Sequence, residues 1–429
     1  MTTYERWKRL LSNRNVLWLS IGQAISQVGE GVSKVALLWF VYDLTGSALK
    51  MTMIGILQTV PPLLFGPFAG VVLDRVSKRA AMIVIDTVRA GLLALIPTLY
   101  WMDRLTLPWL YVLVFVTAMF SMAFGPALKA IEPRLVKSEQ LTQINALDQS
   151  TMTIGQLLGP AISGLLIAAI GAQNVLYVNA GTFAVAVLCK LPIQIEETRG
   201  STARSSPVQA AWHDLQRGIR FVFIERRLML LLMAVASTFT VGSTAFVYLL
   251  PVLAKDHLHS DSVQLGWLWA SLSMGLLAVT LWMLGASPPP LCRRLWLIAV
   301  AAATGGSAAA GLTFVTSFVP VALLIAVIGA GSGVVNPFVS ASVQERTPNT
   351  MLARVFSVFN TGTLVAAMVG MTACGWIADR AGPVASLLAT AAVHAAAAAL
   401  TVALIPWCYR LWSREGVRRP TGRGQPVSA

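Results

Sequence analysis

Gly70-Val71-Val72-Leu73-Asp74-Arg75-Val76-Ser77-Lys78-Arg79 is a short charged step between two apolar runs. Before it, Met51 to Leu73 carries no charge. After it, an apolar run resumes from Ala80 to Trp101. A helix that crosses a bilayer needs about 20 mostly apolar residues, and each run supplies that length. Gly70 lets two helices approach closely. Asp74 stands where the next helix begins, where the helix dipole favours an acid, and it can pair with a cation. The step therefore reads as a loop between two membrane-crossing helices. Its basic residues suit either a conformational latch or an ordinary loop on the inner face.

The same alternation runs along the rest of the chain. Of its 429 residues, 56% are hydrophobic and 12% are charged, with mean hydropathy +0.70. A soluble domain is about 25% charged, so lipid must solvate much of this chain. Leu105 to Leu128, Leu228 to Ala254, Ser262 to Leu291, Val355 to Ala378 and Ala381 to Tyr409 each supply one span. Gln149 to Cys189 and Leu295 to Gln344 are each long enough for two, with turns near Gly171 and near Ser317 to Pro320. The first helix follows a basic N-terminus and runs to about Tyr42, too long for a signal-peptide core. This predicts an all-α membrane protein of twelve transmembrane helices.

Basic residues outside the spans set the orientation. With a cytoplasmic N-terminus, the inner segments collect Arg6, Lys8, Arg9 and Arg14, then Arg75, Lys78 and Arg79, and further clusters through to the tail. The outer loops hold only Lys50, Arg104, Lys255 and Arg380. Both termini are thus expected in the cytoplasm. The net charge of +14 lies in these clusters and forms no basic folded domain, so it does not indicate nucleic acid. Cys189, Cys292, Cys374 and Cys408 form no CxxC pair and read as small apolar residues, with no metal site.

The longest polar stretch, 194–227, divides the chain into a six-helix half at 1–193 and another at 228–410, with a basic tail at 411–429. Trp212, Leu215, Ile219 and Val222 share one helical face there, as in a helix lying on the inner leaflet. At an offset of 211, Pro126 aligns with Pro337, Leu141 with Leu352, Gly159 with Gly370, Gly164 with Gly375 and Gly171 with Gly382. That register implies a duplicated unit, its copies related by a pseudo-two-fold axis around a central site.

These features resemble the major facilitator superfamily. Its signature loop, G-x-x-x-D-R-x-G-[RK]-[RK], is matched at Gly70, Asp74, Arg75, Lys78 and Arg79, with Ser77 in place of a glycine. Gly155, Gly159, Pro160 and Gly164 resemble a motif associated with the family's antiporters, with Ser163 replacing one glycine. Small residues at this spacing also make a generic packing face. Gln23 to Gly31, Asp86 to Ala90 and Ile144 to Leu147 look like the bacterial subgroup that contains macrolide efflux pumps and the enterobactin exporter. The resemblance implies export of a small drug-like or siderophore-like molecule across a bacterial inner membrane. It implies proton coupling by alternating access, with the proton gradient as energy source and no cofactor.

Charges inside spans are functional candidates, since each costs about 2.5–3.5 kcal/mol at the bilayer centre. Gln23, Gln27, Glu30 and Lys34 follow at helical spacing on one face of the first helix and are expected to line a wet cavity. Glu30 is the candidate proton carrier. The alternative is a static Glu30–Lys34 pair that holds the helix in its bundle. Asp86 and Arg89, in the third helix, are expected to pair with each other or with the Asp74 loop, in a structural or gating role. Asp148 reads as a solvated cap and His394 as a packed histidine. Phe239, Tyr248 and Asn336 are candidate substrate contacts, although helix–helix bonding explains such positions equally well. The scattered histidines argue against an enzyme. A lysophospholipid flippase, an uptake carrier and a non-transporting receptor are the rival readings. The two internal halves would let a monomer function.

Overall fold

In a computed structural model, the chain is described at residues 8, 10, 12–74, 76–194, 216–217, 220–222, 227–287, 289–348 and 351–416. At 67–72, 74, 138, 227 and 407–416 only the backbone is described. The expected interfacial helix and basic tail lie mostly outside these residues.

Every long element among the described residues is an α-helix. The first half holds α1 (Arg14–Thr45), α2 (Ala48–Asp74), α3 (Lys78–Trp101), α4 (Leu107–Leu135), α5 (Leu141–Ile170) and α6 (Ala172–Lys190). The second holds α7 (Arg227–Val252), α8 (Ser262–Gly285), α9 (Leu291–Gly311), α10 (Phe318–Arg346) and α11 (Leu352–Gly416). Nine helical stretches among the described residues are long and apolar enough to cross a membrane. Neither α1 nor α9 is among them. The first carries the Gln23, Gln27, Glu30 and Lys34 stripe, and the second carries Arg293 and Arg294 among alanines and glycines. The 65-residue α11 is interrupted at Gly382 (φ 84°, ψ 170°). Apolar side chains such as Leu64, Trp109, Leu188, Leu281 and Leu323 stand exposed on the outer surface, as lipid contact requires.

The repeat is visible contact by contact. Gly171 (φ 82°, ψ 148°) turns α5 into α6 with no other loop residue, and Gly382 bends α11 with nearly the same backbone. Both have positive φ, which glycine adopts without steric cost. Pro126 lies within α4 and Pro337 within α10. Gly159 packs α5 on α1, where an added Cβ would sit 2.6 Å from the Gly31 Cα. Gly370 packs α11 on α7, 3.1 Å from the Val241 Cα by the same measure. Gly164 and Gly375 make the contacts between halves. The first meets Gly266 of α8 at 3.1 Å, and the second meets Leu49 of α2 at 2.7 Å.

The two ends of the bundle differ. At one end, residues of both halves share a single apolar cluster that includes Leu38, Ile54, Leu176, Leu249, Leu265 and Leu387. At the other end there are two separate clusters. One, around Leu19, Met82 and Ile131, belongs to the first half. The other, around Leu232, Ile298 and Val343, belongs to the second. Polar bonds follow the same division. At the joined end, Lys255 pairs with Asp43, and the Tyr42 hydroxyl donates to Asp256. There too Asp379 of α11 accepts from the Ala48 amide (2.6 Å) and the Ser47 hydroxyl (2.5 Å), capping α2 across the interface. At the other end, the Asn13 amide donates to the Leu135 carbonyl (2.8 Å), and Arg294 grips Glu345 through two bonds of 2.8 Å. Each of those bonds stays within one half. The halves are closed on each other at the first end and part toward the second.

Candidate functional site

Between the halves lies a cavity of about 780 Å³, walled by α1 to α8 and α10. Its position follows from the glycine contacts just described. Gly155 and Gly159 hold α5 so close to α1 that an added Cβ on Gly155 would lie 2.5 Å from the Gln27 carbonyl oxygen. With α1 held by its small-residue face, its polar face turns inward. Gln27, Glu30 and Lys34 line the cavity, together with Pro160 of α5. Gln23 is buried beyond the lining, and its Oε1 has no hydrogen-bond partner.

Glu30 pairs with Arg89 of α3, not with Lys34. Arg89 is buried, lies 3.9 Å from the centre of the Phe183 ring and also stands 3.8 Å from Asp86. Asp86 in turn accepts from Lys190 of α6 at 2.6 Å, both side chains being 1% exposed. The result is an alternating chain, Glu30–Arg89–Asp86–Lys190, that runs from the cavity into the first half. Paired charges are the form in which ions survive burial. Asp86 and Arg89 do face each other, as expected, but the tighter partner of each lies on another helix.

The loop after α2 is described only in part. Asp74 and Arg75, expected to form a latch, have no described side chains, and Gly70 only a backbone. Lys78 is buried, and its ammonium donates to the Leu73 carbonyl and to that of Val76 (3.3 Å). Arg79 donates to the Lys190 carbonyl (3.2 Å) and to that of Leu191, tying the start of α3 to the end of α6. Ser77, where the signature has glycine, caps α3 by accepting from the Ala80 amide at 3.2 Å.

Of the candidate substrate contacts, Tyr248 lines the cavity. Phe239 does not. It is 1% exposed and packs edge-on against His394, 5.0 Å between ring centres. Asn336 is exposed and lies outside the lining, which takes Ser332 from the previous turn of α10. His394 is fully buried, its Nδ1 within 2.9 Å of the Thr390 carbonyl. Asp148 is not a solvated cap. Its side chain is 12% exposed and pairs with Lys129 at 3.0 Å, which also meets Glu132 at 3.1 Å. Cys189 and Cys374 are free and buried, whereas Cys292 is disulfide-bonded, contrary to the expectation of four small apolar thiols.

Sequence reasoning missed Lys190, Lys129 and Asp379. Lys190 and Lys129 stand at the edges of apolar runs, where a basic residue reads as a boundary. Asp379 followed by Arg380 reads as an outer loop, and only the fold brings it to the start of α2.

Comparison with known proteins agrees with this geometry. A family model for the Major Facilitator Superfamily matches residues 19–371. The chain is 29% identical to the multidrug efflux pump Tap of Mycobacterium tuberculosis over 392 residues, covering 89% of this chain and 91% of that protein. It is 26% identical to macrolide efflux protein A of Streptococcus pyogenes over 396 residues, covering 89% and 92%. The crystal structure of the nucleoside transporter NupG superposes with a TM-score of 0.70 at 14% identity, covering 93% of this chain and 99% of that one. The fold is thus that of a multi-pass membrane transporter.

Proposed function

The chain belongs to the Major Facilitator Superfamily, and on that premise we propose that it is a secondary active exporter of small amphipathic molecules, driven by proton antiport. The observation that carries this reading is an acid, Glu30, at the wall of a central cavity between halves that are joined at one end and parted at the other. The printed functions of the relatives, multidrug and macrolide efflux, support the outward direction and the drug-like cargo.

Counting α1 and α9 as spans, and α11 as two spans meeting at Gly382, makes twelve helices. The parted end carries Lys78, Arg79, Lys129, Arg293, Arg294 and Arg346, so the positive-inside rule assigns it to the cytoplasm of a bacterial inner membrane. The cavity then faces inward, and both termini are cytoplasmic. The protein works as a monomer without a cofactor.

In the cycle we infer, cargo enters from the cytoplasm while Glu30 is ionised and held by Arg89. The contacts of Asp379 with α2, of Lys255 with Asp43 and of Tyr42 with Asp256 then give way, and the cavity opens outward. A proton from outside neutralises Glu30 and releases Arg89, for which Asp86 is the remaining carboxylate partner. The halves swing back, and Glu30 loses its proton inside. Small cross-interface bonds of this kind fit a bistable interface biased by one protonation.

The test is Glu30→Gln in proteoliposomes with a proton gradient imposed. The expected result is a monodisperse, folded protein whose proton-driven cargo flux falls to the level of empty liposomes. Undiminished gradient-driven flux would sink the assignment of Glu30.

A further inference from the structure

The cavity is electrically unbalanced, and the imbalance names a cargo chemistry. Glu30 is matched by Arg89, and Asp86 behind it by Lys190. Lys34 is left over. Its side chain is exposed into the cavity, yet among the described residues no carboxylate lies within 4.0 Å of its ammonium. It follows Glu30 by four residues, a spacing that allows a pair. Arg89 takes that carboxylate instead. The Lys34 ammonium lies 5.5 Å from the centre of the Trp269 ring, on α8 of the opposite half. A cation over an indole face is held by the ring quadrupole, at about 0.5–2 kcal/mol, and this contact leaves its charge unneutralised.

An unneutralised cation deep in a membrane protein carries a standing cost. A group that supplied only helix packing would not need that charge. Apart from the Glu30–Arg89 pair the rest of the wall is uncharged, with Trp269, Phe246, Tyr248 and Leu272 beside hydroxyls such as Ser243 and amides such as Gln156. Such a wall holds an apolar body well and offers no counter-charge. A ligand that brings its own negative charge would complete the site. Its acidic group would meet Lys34, and its ring or chain would lie along Trp269.

We propose that Lys34 and Trp269 form an anion-recognition subsite, and that the preferred cargo is an amphipathic organic anion, with a carboxylate or similar acidic group on an apolar body. This rests on the export reading only in taking the cavity as the cargo site. It assigns Lys34 to cargo and leaves the proton to Glu30.

The test uses the full chain in nanodiscs and two xanthene dyes of similar shape, anionic fluorescein and cationic rhodamine 123. Equilibrium dialysis, with empty nanodiscs subtracted, measures both affinities. Wild type is expected to bind fluorescein at least about tenfold more tightly than rhodamine 123. Lys34→Gln should weaken fluorescein about tenfold and bind rhodamine 123 at least as tightly as wild type does. Lys34→Arg should keep the preference and Lys34→Glu should reverse it. Size-exclusion profiles and the rhodamine 123 affinity serve as folding controls. Equal binding of the two dyes, tighter binding of rhodamine 123, binding of neither, or an unchanged fluorescein affinity in Lys34→Gln would each overturn the proposal. The export reading fails on a different readout, the gradient-driven flux, so the two can be lost separately.

Discussion

Phe183 and His394 stand 211 positions apart, the offset of the internal repeat, and both are fully buried. In the first half the ring of Phe183 covers Arg89, the middle of a chain of four alternating charges. In the second half His394 packs on Phe239 and against Gly242, Gly305 and Gly306. The two halves keep the same glycine contacts and the same bend, but among the described residues only the first places ions here. The two halves thus share a frame and differ in what it holds. At this place the first half holds paired charges and the second a packed histidine.

Four substitutions would sharpen or break that contrast. The largest effect is expected from Arg89→Leu, which strands Glu30 and leaves Asp86 with Lys190 alone. Removing one partner of a buried ion pair costs about 3–5 kcal/mol. The variant should lose cargo flux entirely and unfold at a clearly lower temperature in detergent. Wild-type unfolding would mean the chain is not a structural unit. Next come Gly159→Leu and Gly370→Leu, one in each half. Both should destabilise by about 1–3 kcal/mol or more, because backbone faces backbone at each site. A large difference between them, measured by thermal unfolding, would break the symmetry of the frame. The smallest effect belongs to His394→Phe, a near-isosteric swap that should cost under about 1.5 kcal/mol. It should also leave the pH profile of transport unchanged. A shifted profile would give the second half an ionisable function after all.

Much of the frame was legible from charge alone. Gaps between charges located the helices, nine stretches of which among the described residues are long and apolar enough to cross a membrane, and the break at Gly171 followed from a double-length run interrupted by turn residues. The Gly159–Gly370 and Gly164–Gly375 alignments found positions that prove to make equivalent contacts. The stripe of α1 was legible because its spacing lies within one helix. The partners of that stripe were not. Arg89 is 59 residues from Glu30, and Lys190 is 104 from Asp86, so the pairs exist only once helices are packed. Phe239 shows a second limit. In water, an apolar face marks the core. In lipid, the core-facing and bilayer-facing sides of a helix are both apolar, and periodicity no longer says which is which.

The turn at Gly171 also bears on how the protein is made. One residue joins Ile170 of α5 to Ala172 of α6, leaving no loop that could wait in water while the second helix is synthesised. A lone α5 in lipid would keep its Gly155–Gly159 face unfilled until α1 closes on it. The economical route is for α5 and α6 to leave the ribosome and enter the bilayer together as a helical hairpin, tip first. The two arms of α11, joined at Gly382, would repeat that insertion step.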